Sequence, residues 1–395
     1  ASDVYKRQVL DVFCADHLDA LPSIPLRLAP FPGFERYLQK PIAVNKVRYV
    51  GEPIAVVVAE NRYIAEDALD LLSVEFTALP AITTVDQAIS GKNLIHEETG
   101  ENIATHYTVS RGNSDYAFAN AGYTRKERFV TNRHGAVPLE TRGLIAEFDP
   151  VKPLLRLHGA TKVNFFNRRH LSDAFRLKEE EVELIETDVG GGFGARGELY
   201  PEEYLVPMAS RRVGRPVKWI EDRTEAILTD NHGRDNVTEV SLALDKGGNF
   251  LGLRGDSKAN LGAYLSTLAA GPPTIHLGGL AGVYTTPAAY VTVTGVFSHT
   301  CSTAAYRGAG RPEASFVIET MVDAAAKKLG VDPVTLRRQN MITPEAIPYQ
   351  TPLYFNYDSG RFEETFMMAI EAADVEAVSY THLRAHETEA ELVCR

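Results

Sequence analysis

One stretch limits what this chain can become: Asp188-Val189-Gly190-Gly191-Gly192-Phe193-Gly194-Ala195-Arg196-Gly197-Glu198, with five glycines among eleven residues. It follows an apolar run, Val182 to Ile185, that reads as a strand. Glycine lacks a Cβ, so the loop reaches positive φ and lets a ligand come close to its amides. Amides converging at a turn into a helix attract phosphate and other oxyanions. A tight strand-to-helix turn without a ligand is the plainer reading, but five glycines exceed what such a turn requires.

Gly192 to Gly197 also spells G-x-G-x-x-G, the signature of a dinucleotide loop. That fold needs a helix, a second strand and an acid about 20 residues on. Pro201 to Val213 can supply the helix and Val217 to Ile220 the strand, and Glu221 follows Gly197 by 24 positions. Against this, Glu186 and Asp188 put charge where a buried first strand is apolar. Pro207 would also interrupt the helix. The loop alone leaves both readings open.

At 395 residues the chain is long enough for two or three domains and a sizeable core. A net charge of −11 argues against nucleic acid as a partner, which would call for a basic stripe. Cys14, Cys301 and Cys394 give neither a disulfide framework nor paired metal-ligand spacing. That usage fits a reducing compartment, so a cytoplasmic location is expected. No apolar run reaches membrane-spanning length, and no signal-peptide layout opens the chain. Ala1 to Gln8 and Ser379 to Arg395 continue neither neighbour's pattern and resemble translated adapter sequence. Both ends are therefore expected to be foreign, and the remainder a fragment.

Between those ends, Ile54 to Ala59 predicts a short buried strand and Asn61 caps a helix through Leu72. Val74 to Thr77 is expected to return as a strand. Ser90 to Glu101 reads as a boundary. Strands are then expected over Thr124 to Thr131, Arg142 to Phe148 and Leu154 to His158, and a basic helix over Asn167 to Leu177. His134 and Glu140 lie in an intervening loop without metal-ligand spacing. Val237 to Leu244 and Phe250 to Gly255 flank a hairpin turn, and Val291 to Phe297 forms another strand. It leads to Ala305-Tyr306-Arg307-Gly308-Ala309-Gly310-Arg311-Pro312-Glu313, where two arginines flank small residues. Guanidinium there can pair with nearby carboxylates or recognise a ligand's carboxylate or phosphate. A helix follows, with Phe316/Val317, Met321, Ala324/Ala325 and Leu329 as its apolar face and Gly330 as terminator.

Four segments thus occur in order: VGEPIAVVVAENRYIAEDAL (Val50 to Leu69), PLETRG (Pro138 to Gly143), DVGGGFGARGELYPEE (Asp188 to Glu203) with GRPVKWIEDR (Gly214 to Arg223), and AYRGAGRPEA (Ala305 to Ala314). Together they resemble the large, molybdopterin-binding subunit of the xanthine dehydrogenase family, the molybdenum hydroxylases. The resemblance implies an α+β fold. Residues 9–89 would be the α/β hammerhead domain, 90–123 a linker, and 124–378 the first part of the molybdopterin-binding region.

Carried over by position, the resemblance makes Gly191, Gly192, Phe193 and Gly194 cofactor contacts, with Gly308 and Ala309 as the facing wall. Arg307 would face the substrate and stabilise negative charge developing on it, as the catalytic residue. Lys162, after Thr161, stands where many members carry glutamine, and a cation there suits an anionic pterin. Xanthine enzymes resemble GGGFGGKE; here Glu198 falls one residue later, which argues against purine as the substrate it would bind. Carbon monoxide dehydrogenases carry a copper-binding cysteine where this chain has Gly308, and Cys301 is too far upstream to replace it. No side chain is expected to ligate the metal.

The implied reaction is hydroxylation of an aldehyde or N-heteroaromatic carbon with water as oxygen source. The implied cofactor is molybdenum-molybdopterin in its cytosine dinucleotide form. Electrons would leave through 2Fe-2S clusters and FAD on an iron–sulfur subunit and a flavin subunit, in a dimer of heterotrimers. The family's general base, a glutamate in a Gly-Glu-Pro-like motif, would lie beyond this chain. Gly51-Glu52-Pro53 copies the letters but opens a hammerhead strand, so Glu52 is not that base. The fragment alone is expected to be inactive. A nicotinamide or flavin dehydrogenase using Gly192 to Gly197, and a non-catalytic relative, are the competing readings.

Overall fold

The computed structural model describes residues 8–18, 22–28, 31–149, 151–160, 162–268, 271–375 and 377. The tail Ser379 to Arg395 therefore lies outside the described residues, as do all but Gln8 of the first eight and Thr161.

Strand β1 (Val9–Phe13) pairs antiparallel with β2 (Val56–Ala59), Phe13 opposite Val56. Helix α1 (Arg62–Leu69) follows, its first turn capped by the Asn61 side chain, which accepts from the Ile64 amide at 3.1 Å. Val74 to Thr77, expected as a returning strand, belongs to no sheet, and Phe76 is 66% exposed. Alternation creates a strand only where another strand takes up its backbone groups, and none does so among the described residues.

A capping box between Thr84 and Gln87 opens α2 (Val85–Ser90). The stretch expected as a linker, 90–123, instead carries β3 (Ile103–Arg111) and α3 (Ser114–Ala119). β3 pairs along its length with a strand nearly two hundred residues later, a partner that local sequence cannot reveal. β4 (Tyr123–His134), β5 (Gly143–Asp149) and β6 (Leu154–Gly159) come next, then α4 (Asn164–Phe175) and β7 (Val182–Glu186). Beyond the glycine loop lie α5 (Glu202–Val213), β8 (Val217–Ile220) and α6 (Arg223–Thr229). The hairpin of β9 (Gly233–Leu244) and β10 (Phe250–Asn260) is followed by α7 (Gly271–Gly279), β11 (Ala288–Val296), α8 (Arg311–Leu329) and α9 (Pro333–Asn340).

Two sheets organise these elements. The larger runs β3-β11-β10-β9-β4, antiparallel except between β10 and β11. Leu242, Val291 and Val293 on it pack with Val317, Met321 and Val322 of α8. Phe316, expected on that face, is 52% exposed, because the face actually centres on Ala314, Val317, Met321 and Ala325. The smaller sheet runs β7-β6-β5-β8, with Leu155 and Leu157 packed against Leu171, Phe175 and Tyr204 of α4 and α5. Helix α5 also supplies Leu205 and Ala209 to the cluster around Phe13, Ile42 and Val58, which ties the β1–β2 unit to this sheet.

This topology excludes the dinucleotide arrangement. The strands on either side of the glycine loop, β7 and β8, occupy opposite edges of the smaller sheet rather than neighbouring positions. Pro207, offered as an objection to a helix, sits inside α5 without ending it.

His276 on α7 is 1% exposed, with Nε2 3.2 Å from Thr238 Oγ1. Burial pushes its pKa down to about 4 from 6.5. The neutral ring is thus the folded form, and its stability contribution is complete above pH 6.5 and declines as pH falls toward 4. Between pH 7 and pH 5 this one group should remove about 2 kcal/mol of stability. Denaturant unfolding of His276→Gln should have a pH slope flatter by that amount; an unchanged slope would refute the assignment.

Candidate functional site

The two glycine-bearing loops singled out in the sequence meet at the edge between the sheets. In the first, Gly191 (φ 110°), Phe193 (φ 48°) and Gly194 (φ 110°) all adopt positive φ. The Phe193 carbonyl accepts a 2.8 Å hydrogen bond from the Arg307 amide of the second loop. A Cβ on Gly194 would overlap the Ala305 carbonyl oxygen, so glycine is required both for conformation and for this approach. Gly308 (φ 100°), Ala309 (φ 49°) and Gly310 (φ 99°) continue the second loop into α8.

Arg307 is exposed, and its guanidinium carbon stands 5.8 Å from the centre of the half-exposed Phe193 ring. Among the described residues, no protein acceptor takes the amide hydrogens of Gly191, Gly192, Phe193 or Gly194. An accessible edge with unused donors and a cation is built to receive oxygen atoms or negative charge. Arg234 steadies the second loop: it donates to Glu313 at 2.8 Å and to the Arg307 carbonyl at 3.1 Å, and lies over the Tyr306 ring.

Beneath the first loop the chain turns inward. Arg196, 7% exposed, donates to the carbonyls of Glu140 (2.7 Å) and Thr141 (2.8 Å). The Glu140 carboxylate in turn accepts from the Gly190 amide at 2.8 Å. The Pro138 to Gly143 segment is thereby fastened to the glycine loop. Arg142 of that segment is buried among Glu202, Glu221 (2.6 Å), Asp230 (2.6 Å) and Thr229 (2.7 Å), and stacks 3.8 Å from the Tyr200 ring centre. Glu221, the acid a dinucleotide fold would reserve for ribose, is committed to Arg142. Neighbouring Glu203 has its pKa pushed up to about 8 by burial.

The structure brings Gly191, Gly192, Phe193, Gly194, Arg307, Gly308 and Ala309 together. Lys162 lies at the near side, its Cδ within contact reach of a Cβ placed on Gly197. Glu198 is not on that accessible edge. It is 3% exposed and accepts from the Thr267 hydroxyl, because the chain is buried from Ala195 onward. Glu52 is a buried turn residue that accepts from Tyr264 (2.7 Å) and from the Arg48 amide (2.6 Å). Cys301 is buried with its Sγ 3.3 Å from His232 Nδ1, and burial raises its thiol pKa. The described residues contain no cluster of three or more potential metal-ligating side chains. The roles of Arg196, Arg142 and Arg234 escaped the sequence reading; the motifs holding the first two were visible, but partners such as Asp230 of Arg142 and Glu313 of Arg234 lie far along the chain.

The molybdopterin cofactor-binding domain matches residues 95–341, and the a/b hammerhead domain of aldehyde oxidase and xanthine dehydrogenase matches 4–80. The chain belongs to this family. It is 34% identical over 349 residues to the 6-hydroxypseudooxynicotine dehydrogenase complex subunit gamma of Paenarthrobacter nicotinovorans, covering 87% of this chain and 44% of that one. Identity is also 34% over 373 residues to the carbon monoxide dehydrogenase large chain of Hydrogenophaga pseudoflava, covering 89% and 46%. Quinoline 2-oxidoreductase from Pseudomonas putida 86 superposes with a TM-score of 0.88 at 32% identity, over 96% of this chain and 49% of its own. The chain thus spans about half the length of the relatives it matches. No helix among the described residues is long and apolar enough to cross a membrane.

The free amides and the side-chain-less approach at Gly194 fit an anionic cofactor, consistent with the family. Gly194→Ala should separate the loops and lower molybdenum content of the full-length protein at least about tenfold, since both φ and space forbid the methyl group. Metal analysis checks this, and normal content would reject the loop contact as the determinant. Arg142→Met should cost about 3–5 kcal/mol in chemical unfolding by leaving buried carboxylates unpaired. A loss below about 1 kcal/mol would mean that water enters and replaces it.

Proposed function

We propose that the chain is the cofactor-binding part of the catalytic subunit of a molybdenum hydroxylase acting on an aldehyde or N-heteroaromatic carbon. The observation that carries this reading is the junction of the two loops: amides at Gly191 to Gly194, without acceptors among the described residues, beside the exposed Arg307. When bound, a molybdenum cofactor supplies the two-electron oxidation and the oxygen derived from water. The chain's own residues do the rest. Gly191 to Gly194 donate to the cofactor's oxygen atoms, and Gly308 and Ala309 form the small facing wall. Arg307 holds negative charge that develops on the substrate carbon's heteroatom.

An N-heteroaromatic substrate is supported by the name of quinoline 2-oxidoreductase, whose fold is shared here at 32% identity. Carbon monoxide is not favoured despite the carbon monoxide dehydrogenase relative. Gly308 brings no thiolate, and the Cys301 sulfur is engaged by His232 in the interior. Glu198 acts from beneath the loop in this reading, not as a direct purine contact. The cofactor form proposed is the cytosine dinucleotide. Partner iron–sulfur and FAD subunits would carry the electrons in a cytoplasmic dimer of heterotrimers, in line with relatives named as subunit gamma or large chain. The adapter-like ends, and the division into a hammerhead unit ending near residue 89 and a cofactor region beyond it, belong to the same reading.

Arg307→Ala in the full-length complex should lower kcat by about 10²–10³ while molybdenum content stays within about twofold. Equal loss of metal and turnover would reassign Arg307 to cofactor retention. The 395-residue chain expressed alone should purify without molybdenum and without hydroxylase activity. Stoichiometric metal with turnover would overturn that part of the reading.

A further inference from the structure

A cavity of about 290 Å³ lies where the β1–β2 unit meets the smaller sheet. Val56, Leu199, Leu205, Val206, Trp219 and Leu265 supply its apolar walls. Gly191 to Gly194 and Arg307 to Ala309 do not line it, so it is separate from the loop junction. The Gly51-Glu52-Pro53 turn, for which the candidate site has no use, contributes Gly51 and Pro53 to its lining. Gly51 (φ 104°) lies against the end of α6, where a Cβ would stand 2.7 Å from Thr229 Cγ2. Leu199, Leu205 and Leu265 are buried, whereas Gly51, Leu69 and Glu225 of the same lining reach solvent. A ligand therefore has a way in.

Two hydroxyls of this lining are not fully used. Ser302 is 4% exposed, and its Oγ has no hydrogen-bond partner among the described residues. Tyr49 accepts from Gln39 Nε2 at 2.9 Å, yet its own hydroxyl hydrogen has no acceptor among the described residues. Burial raises the Tyr49 pKa, so the hydroxyl stays protonated and able to donate.

We infer that this cavity binds a small, neutral, bicyclic aromatic molecule carrying a carbonyl acceptor. An apolar cavity of about 150 Å³ holds benzene, so roughly twice that volume suits two fused rings. Apolar walls with a few placed polar groups, at a junction between units, are the usual form of a small-molecule site. A carbonyl oxygen only accepts, which matches hydroxyls in want of an acceptor and removes the cost of burying them unpaired. Apolar walls give an ion no solvation, and the Glu225 carboxylate repels an anion on entry. A cation finds no free carboxylate either: Glu202 is held by Arg142, and Glu225 accepts from the Asp222 amide at 2.9 Å.

The inference is independent of the hydroxylase reading, because its test measures binding rather than turnover. Equilibrium dialysis of the full-length protein is run with 2-quinolone, with naphthalene, which lacks the acceptor, and with 2-quinolone-4-carboxylate. The variants are Ser302→Ala, which breaks no hydrogen bond within the protein, and Ala55→Phe, which places a ring in the cavity. Wild type should bind 2-quinolone saturably and the carboxylate at least about tenfold more weakly. Ser302→Ala should weaken 2-quinolone by about tenfold and leave naphthalene unaffected. Ala55→Phe should abolish binding of both; should it fail to fold, Ser302→Ala decides alone. Absence of saturable binding in wild type would overturn the inference. So would a 2-quinolone affinity that Ser302→Ala leaves unchanged, as expected for a probe seated at the loop junction instead. Equal loss of naphthalene and 2-quinolone in Ser302→Ala would overturn the hydrogen bond to the carbonyl, and equal affinity for the carboxylate would overturn the neutral class.

Discussion

A single backbone hydrogen bond, from the Arg307 amide to the Phe193 carbonyl, sets the geometry on which the candidate site depends. Two loops more than a hundred residues apart can approach that closely only where side chains are missing, and Gly194 provides the gap. Once joined, the loops leave four consecutive amides without acceptors among the described residues and hold Arg307 at their rim. The strain of positive φ at Phe193 and Ala309 is the cost of that arrangement.

Below the rim the structure is held by buried charge. Arg142 pairs with Glu202, Glu221 and Asp230 and thereby joins the Pro138 to Gly143 segment, helix α5 and the end of α6. Breaking such a set exposes the desolvation cost of each carboxylate, whereas the intact set contributes little beyond fixing geometry. Its role is therefore one of position. Arg196 does the same nearer the loop by capping the Glu140 and Thr141 carbonyls. The accessible loop edge is thus polar and strained, supported by the buried arginines Arg142 and Arg196 beneath it.

The strands and helices were largely legible. The Val237 to Gly255 hairpin, the Asn61 cap, the Gly330 terminator and the helix after Arg311 follow from turn chemistry and periodicity, which act over a few residues. Two expectations failed for one reason. Val74 to Thr77 alternates yet has no partner strand among the described residues, and Ile103 to Arg111 lies within an expected linker yet joins a sheet. Strand pairing is settled by a neighbour distant in sequence. Phe316 was misplaced because burial depends on the direction in which a whole element faces.

From the sequence alone came the loop's glycines, the order of four motifs and the resemblance they carry, because these are properties of residue identity and spacing. Only the tertiary structure decided between a dinucleotide loop and the present site. It put β7 and β8 at opposite sheet edges and consumed Glu221 in the Arg142 cluster. It also decided which arginines face outward: Arg307 lies at the surface, whereas Arg142 and Arg196 are inside. All three have the same side chain, and what separates them is whether carboxylates and carbonyls from distant segments arrive to compensate a buried charge.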